Sequence, residues 1–99
     1  MKKKFINSVD SELPVLVNFY ATWCTSCKFL VPILQQVLTE MGNNLELIEI
    51  DVEEQPSLAK KYKVRTMPTL FIFKNKEPLW RHSGMIEKAV LKAAINEYS

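Results

Sequence analysis

The chain has 99 residues, of which 47% are hydrophobic and 10% aromatic; this suffices for one globular core but not two, so a single domain over 1–99 is expected. Its 13 basic and 11 acidic side chains leave a net charge of +2, spread along the sequence, which gives no reason to expect a nucleic-acid partner. No run approaches the roughly 18 apolar residues of a membrane span. Lys2-Lys3-Lys4 reads as a solvated charge run, with no apolar stretch behind it to make a signal peptide. Two cysteines at close spacing fit a reducing compartment. The cytoplasm is therefore expected, although an exported form lacking its leader would read the same.

In chain order, Phe5, Ile6 and Val9 sit at helical spacing in a short opening segment that Pro14 stops. Val15 to Tyr20 is a strand. From Phe29 the apolar positions 29, 30, 33, 34, 37, 38 and 41 follow a helical period, so a long helix is predicted from Cys24 to Met41. Gly42-Asn43-Asn44 caps and turns it. Leu45 to Val52 alternates as a second strand, with Leu45, Leu47, Glu49 and Asp51 on one face. Pro56 and Ser57 open a short helix carrying Leu58 and Tyr62. Thr69 to Lys74 is a third strand, joined tightly through Asn75-Lys76 to a fourth from Leu79 to Ser83. A last helix buries a stripe of Ile86, Val90, Leu91, Ala94, Ile95 and Tyr98. The first three strands are expected to share a sheet through right-handed crossovers, and the last two to form an antiparallel hairpin. Helices on both faces give a three-layer α/β/α domain with a mixed four-stranded sheet.

The chemistry concentrates at Cys24-Thr25-Ser26-Cys27, where the first strand gives way to the long helix. Cysteines at i and i+3 in a first helical turn lie on one face at a separation a disulfide can bridge. The free N–H groups and dipole of that turn favour a thiolate. Tetrahedral zinc would need two more Cys or His ligands, and His82, the only histidine, lies far along the chain and reads as an ordinary strand residue. A bridge across so short a loop is a poor structural staple. Redox exchange is the reading that remains, with the Cys24–Cys27 disulfide as the redox group and no other cofactor or metal.

These features resemble the thioredoxin family. Val-Asn-Phe-Tyr-Ala-Thr-Trp-Cys-x-x-Cys-Lys at 17–28, Pro32 in the long helix, Asp51-Val52 with Pro56, Arg65-Thr66-Met67-Pro68-Thr69, Phe73-Lys74-Asn75 and Gly84 stand in family order. The similarity runs from Pro14 to the C-terminus. It implies that Cys24 is the exposed nucleophile and Cys27 the buried resolving cysteine. Trp23 would flank the nucleophile. Met67-Pro68 would be a cis dipeptide whose backbone pairs with an incoming extended peptide.

Four departures from the family stand out. Thr25-Ser26 replaces the usual Gly-Pro, and Ser26 restores a backbone donor near Cys24, which implies a less reducing couple. Asn18 stands where the family has a buried aspartate thought to take the resolving cysteine's proton. Glu49 stands where a lysine faces that aspartate, so a carboxylate has moved to the adjacent strand, where burial is expected to raise its pKa. Only 23 residues precede Cys24, too few for the family's extra first strand, so a sheet lacking that edge is expected.

The resemblance implies an enzyme: a dithiol–disulfide oxidoreductase, expected as a monomer, acting on protein disulfides. Cys24 attacks, Cys27 resolves, Glu49 assists, and a separate reductase supplies electrons, since no Gly-rich dinucleotide fingerprint exists here. Asn18 keeps a second reading open, an adaptor that docks partners with poor turnover. A third is an iron–sulfur site shared by two chains.

Overall fold

The computed structural model describes residues 5–99; the Lys2-Lys3-Lys4 run lies outside the described residues. A short helix α1 (Phe5–Ser8) precedes strand β1 (Val15–Tyr20), the long helix α2 (Thr25–Met41) and strand β2 (Glu46–Asp51). Helix α3 (Pro56–Lys61), strands β3 (Thr69–Lys74) and β4 (Glu77–Ser83), and helix α4 (Lys88–Glu97) complete the chain. The strands form one mixed sheet in the order β2-β1-β3-β4.

β1 is central, and its apolar run is buried on both faces. Leu16 packs with Leu70 and Ile72 of β3 against Leu30, Leu34 and Val37 of α2 and Leu91 and Ile95 of α4. Val15, Val17 and Phe19 pack on the other face with Phe71, Phe73 and Ile50, covered by Phe5, Ile6, Leu58 and Tyr62. Phe5, Phe19, Tyr62, Phe71 and Phe73 form a continuous set of tilted and edge-on ring contacts there. Such geometry suits the ring quadrupoles. This sheet, open at its edges and with helices on both sides, is the three-layer α/β domain that the sequence predicts.

The strand directions need one correction. β1 and β2 are parallel across α2, but β3 runs antiparallel to β1, with Thr69 opposite Phe19. Between β2 and β3 the only helix, α3, has six residues, about 9 Å and so shorter than the strands it would have to span; the chain re-enters the sheet at the end it left. β4 also starts two residues before the expected Leu79. Lys74 pairs with Glu77 across a two-residue turn, and a register shift between Ile72 and Phe73 accommodates Pro78. Proline is tolerated there because β4 is an edge strand. Asn75 and Lys76 both have positive φ, 51° and 71°, which a two-residue hairpin turn of this twist demands. Their N–H groups donate to the carbonyls of Ser11 (2.8 Å) and Val9 (3.0 Å), tying the hairpin to the N-terminal segment.

α2 continues unbroken through Pro32, which is exposed. The carbonyl of Lys28 loses its helical donor there, and the exposed position leaves it to solvent. Glu40 of α2 binds Lys88 (2.8 Å) and Lys92 (2.7 Å) of α4, closing the two helices over the sheet. These lysines hold the Glu40 carboxyl at about 2, below its ordinary 4.5.

Candidate active site

β1 delivers the chain to the end of the sheet, and Ala21-Thr22-Trp23 turns it into α2. Cys24 N–H donates to the Ala21 carbonyl at 3.2 Å. Cys24 is then the N-cap of α2, with extended backbone (φ −84°, ψ 112°), and its Sγ accepts the Cys27 N–H at 3.2 Å. The sulfur thus takes the place that a Ser or Asp oxygen usually fills. A backbone donor and the positive end of a 17-residue helix both face that sulfur, and both stabilise negative charge on it.

Both thiols are free. Cys24 Sγ donates to the Met67 carbonyl at 3.6 Å, and Met67 packs against the cluster of Ala21, Cys24 and Cys27. The Met67–Pro68 peptide bond is cis. Its loop is held by the Gly84 N–H donating to the Pro68 carbonyl (2.8 Å) and by Thr69 Oγ1 donating to the Thr66 carbonyl (2.7 Å). Trp23, next to Cys24, is 63% exposed.

The expectation of an exposed nucleophile is corrected here. Cys24 is 7% exposed and Cys27 4%, so the order holds but both sulfurs are covered. Capping the helix and reaching Met67 draw the Cys24 sulfur inward. The Cys27 thiol is pushed up from 9.0 to about 11, first by burial and then by contact with the Cys24 thiol, partly offset by a backbone bond at Ala21.

Beside Cys27 opens a crevice of about 290 Å³, whose lining includes Asn18, Tyr20, Lys28, Val31 and Glu49. Asn18 and Glu49 are register partners on β1 and β2. Asn18 is 1% exposed and its Oδ1 has no hydrogen-bond partner among the described residues. Glu49, by contrast, is exposed. The expected burial of this carboxylate fails because β2 is an edge strand, leaving Glu49 at the open rim. The phenol of Tyr20 is raised above its ordinary value by burial and by the charges of Asp51, Glu49 and Glu54. Sequence reasoning passed over Tyr20 and Val31; the signal available for Tyr20 was its place two residues after Asn18, on the same strand face.

Among the described residues no group of three His, Cys, Asp or Glu is placed to hold a metal ion. The His82 ring stacks on Trp80 and its Nε2 lies 2.9 Å from the Met85 carbonyl. This side chain of β4 is not among those lining the crevice.

A thiol pair capping the helix that follows a central strand, facing a cis-proline loop, defines a dithiol protein of the thioredoxin-like fold. The sequence matches the thioredoxin family model over residues 1–97. It is 43% identical over 90 residues to the chloroplastic thioredoxin Y of Oryza sativa subsp. japonica, covering 86% of this chain and 54% of that protein. It is 38% identical over 95 residues to a thioredoxin-like protein of Synechocystis sp., covering 92% and 90%. Mitochondrial thioredoxin 3 of Saccharomyces cerevisiae, crystallised in its oxidised form, superposes with a TM-score of 0.84 at 28% identity, covering 94% of this chain and 86% of that one. The chain spans about half the length of the chloroplastic relatives it matches, 54% and 45% for the rice protein and for thioredoxin Y1 of Arabidopsis thaliana. The chain belongs to the thioredoxin family, whose members are thiol–disulfide oxidoreductases.

Proposed function

We propose that this chain is a protein dithiol–disulfide oxidoreductase in which Cys24 attacks and Cys27 resolves. The Cys24 thiolate forms a bond to one sulfur of a substrate disulfide, whose S–S bond breaks; the released thiolate takes up a proton. Cys27 then gives up its proton and attacks Cys24 Sγ. A Cys24–Cys27 disulfide forms, and the second substrate thiol leaves. Two electrons pass from the protein dithiol to the substrate, and a separate disulfide reductase returns them. Trp23, Met67 and Pro68 form the platform for the substrate, with the Met67 backbone pairing to its extended chain. The observation that supports the reading is the Cys27 N–H on Cys24 Sγ at 3.2 Å: the two cysteines share one helical turn, as a pair that exchanges through a mixed disulfide would need.

Glu49 assists the second step. Asn18 cannot ionise, so the proton of the buried Cys27 leaves through the crevice to the carboxylate at its rim. Ser26, in place of proline, keeps a further donor in the first turn, and the couple is less reducing than is usual in the family. The protein works as a monomer in a reducing compartment, the cytoplasm or an organelle of the kind named for its chloroplastic and mitochondrial relatives. Among the described residues no helix is long and apolar enough to cross a membrane. Insulin reduction followed by turbidity, with dithiothreitol as the electron source, tests the reading. Turnover lost in Cys24→Ser is expected; a wild type that captures insulin in a stable mixed disulfide without turnover would make the chain an adaptor instead.

A further inference from the structure

The crevice beside Cys27 holds an unusual combination of groups. Among the described residues nothing donates to the buried Asn18 Oδ1, and a buried acceptor left unpaired is costly, so the site favours whatever brings an N–H to it. Its register partner Glu49 presents a carboxylate at the open rim. Asp51 at the end of β2 and Glu53 and Glu54 in the turn after it follow in sequence, and among the described residues none of these four carboxylates is in an ion pair. Ala21 and Val31 add apolar lining beside Asn18 and Glu49. Lys28, the cation in the lining, is exposed and forms no ion pair with a described residue. An apolar stem with a positive, hydrogen-donating tip matches an adjacent amide oxygen and carboxylate with apolar lining beside them.

We propose that this crevice docks a lysine or arginine side chain of the substrate protein, its N–H donating to Asn18 Oδ1 and its charge facing Glu49. The proposal rests on the exchange reading above and names the substrate feature that selects for it. It also links recognition to chemistry. A cation seated in the crevice lies against Cys27, whose thiol burial holds in the protonated form. Positive charge there favours the thiolate, so a substrate carrying the right side chain hastens its own release from the mixed disulfide.

The test uses peptide disulfides in which one lysine is stepped through the four positions on either side of the cysteine, each paired with a glutamine peptide. The readout is the lysine-to-glutamine ratio of kcat/KM for the full chain, so any uniform slowing from loss of Glu49 as a base cancels. We expect one or two positions at which lysine is favoured about tenfold, the size of one charge-assisted hydrogen bond. That ratio falls toward one in Glu49→Gln and in Asn18→Leu, and survives in the double variant Glu53→Gln with Glu54→Gln. Should Asn18→Leu fail to fold, the Glu49→Gln ratio decides. A flat profile overturns the proposal. So does a preference that persists without Glu49, or one that disappears with Glu53 and Glu54, since a diffuse acidic field and not a site would then be responsible. No reduction of any peptide by the wild type overturns the exchange reading itself, and the docking proposal with it.

Discussion

Replacing Glu49 with glutamine should separate the two halves of the exchange. With the Cys27 thiol pushed up to about 11, chiefly by burial, its thiolate is scarce at pH 7. Blocking Cys24 in a mixed disulfide removes the thiol–thiol contribution, but burial, the leading cause, remains. On the proposed mechanism, resolution at neutral pH depends on a group that accepts the proton as Cys27 attacks, and such assistance is worth about 10²–10⁴-fold. The amide keeps the shape of the side chain and cannot take a proton. At pH 7 the variant should accumulate the mixed disulfide and resolve it at least about 100-fold more slowly than wild type, with the first attack by Cys24 nearly unchanged. Its resolution rate should climb about tenfold per pH unit until the Cys27 thiolate forms without help. Wild type should show a shallower profile and meet the variant at the alkaline end. Acid quench with mass analysis resolves the species. Asn18→Asp combined with Glu49→Lys restores the usual family pair and should recover the lost rate. Overlapping wild-type and Glu49→Gln profiles would refute the relocated base and return Glu49 to an ordinary rim carboxylate.

Ser26→Pro should make the couple more reducing, since it removes one first-turn donor and stiffens the turn; equilibration against glutathione measures it, and an unchanged or more oxidising potential counts against Ser26 as a tuning residue. Leu30→Ala should cost about 2–5 kcal/mol in urea unfolding, because Leu30 is fully buried between α2 and the sheet; a loss below about 1 kcal/mol would mean that this core collapses around the gap. Glu40→Gln should loosen α2 from α4. Because the folded carboxyl sits at about 2 and its ordinary value is 4.5, the difference in melting temperature between wild type and variant should be full above pH 5 and shrink as pH falls toward 2. A difference that is constant across that range would show that the lysine contacts contribute nothing through charge.

Much of the fold is legible in residue order. The apolar run 15–20, the helical period from Phe29 and the alternation after Leu45 each mark an element, and the structure forms all three. The direction of β3 is not legible, because a strand buried on both faces carries the same hydrophobic pattern whichever way it runs. The start of β4 is hidden because Glu77 and Pro78 look like loop, and an edge strand tolerates both. At the site, the cysteines and the Asn18–Glu49 pairing follow from spacing and family resemblance. Exposure does not. Alternation places Glu49 on a face, but whether that position is covered depends on β2 lying at the sheet edge. The covering of Cys24 likewise depends on Met67, 43 residues away in sequence, and no local pattern encodes such a contact.

The central claim is that Cys24 attacks and Cys27 resolves, and trapping tests it most directly. Cys27→Ser, incubated with a disulfide-linked peptide and quenched in acid, should yield a stable one-to-one adduct that peptide mapping places on Cys24. Cys24→Ser should give none at matched times, because the remaining thiol is buried and protonated. An adduct that forms on Cys27 in Cys24→Ser, with none on Cys24 in Cys27→Ser, would reverse the roles and contradict the account.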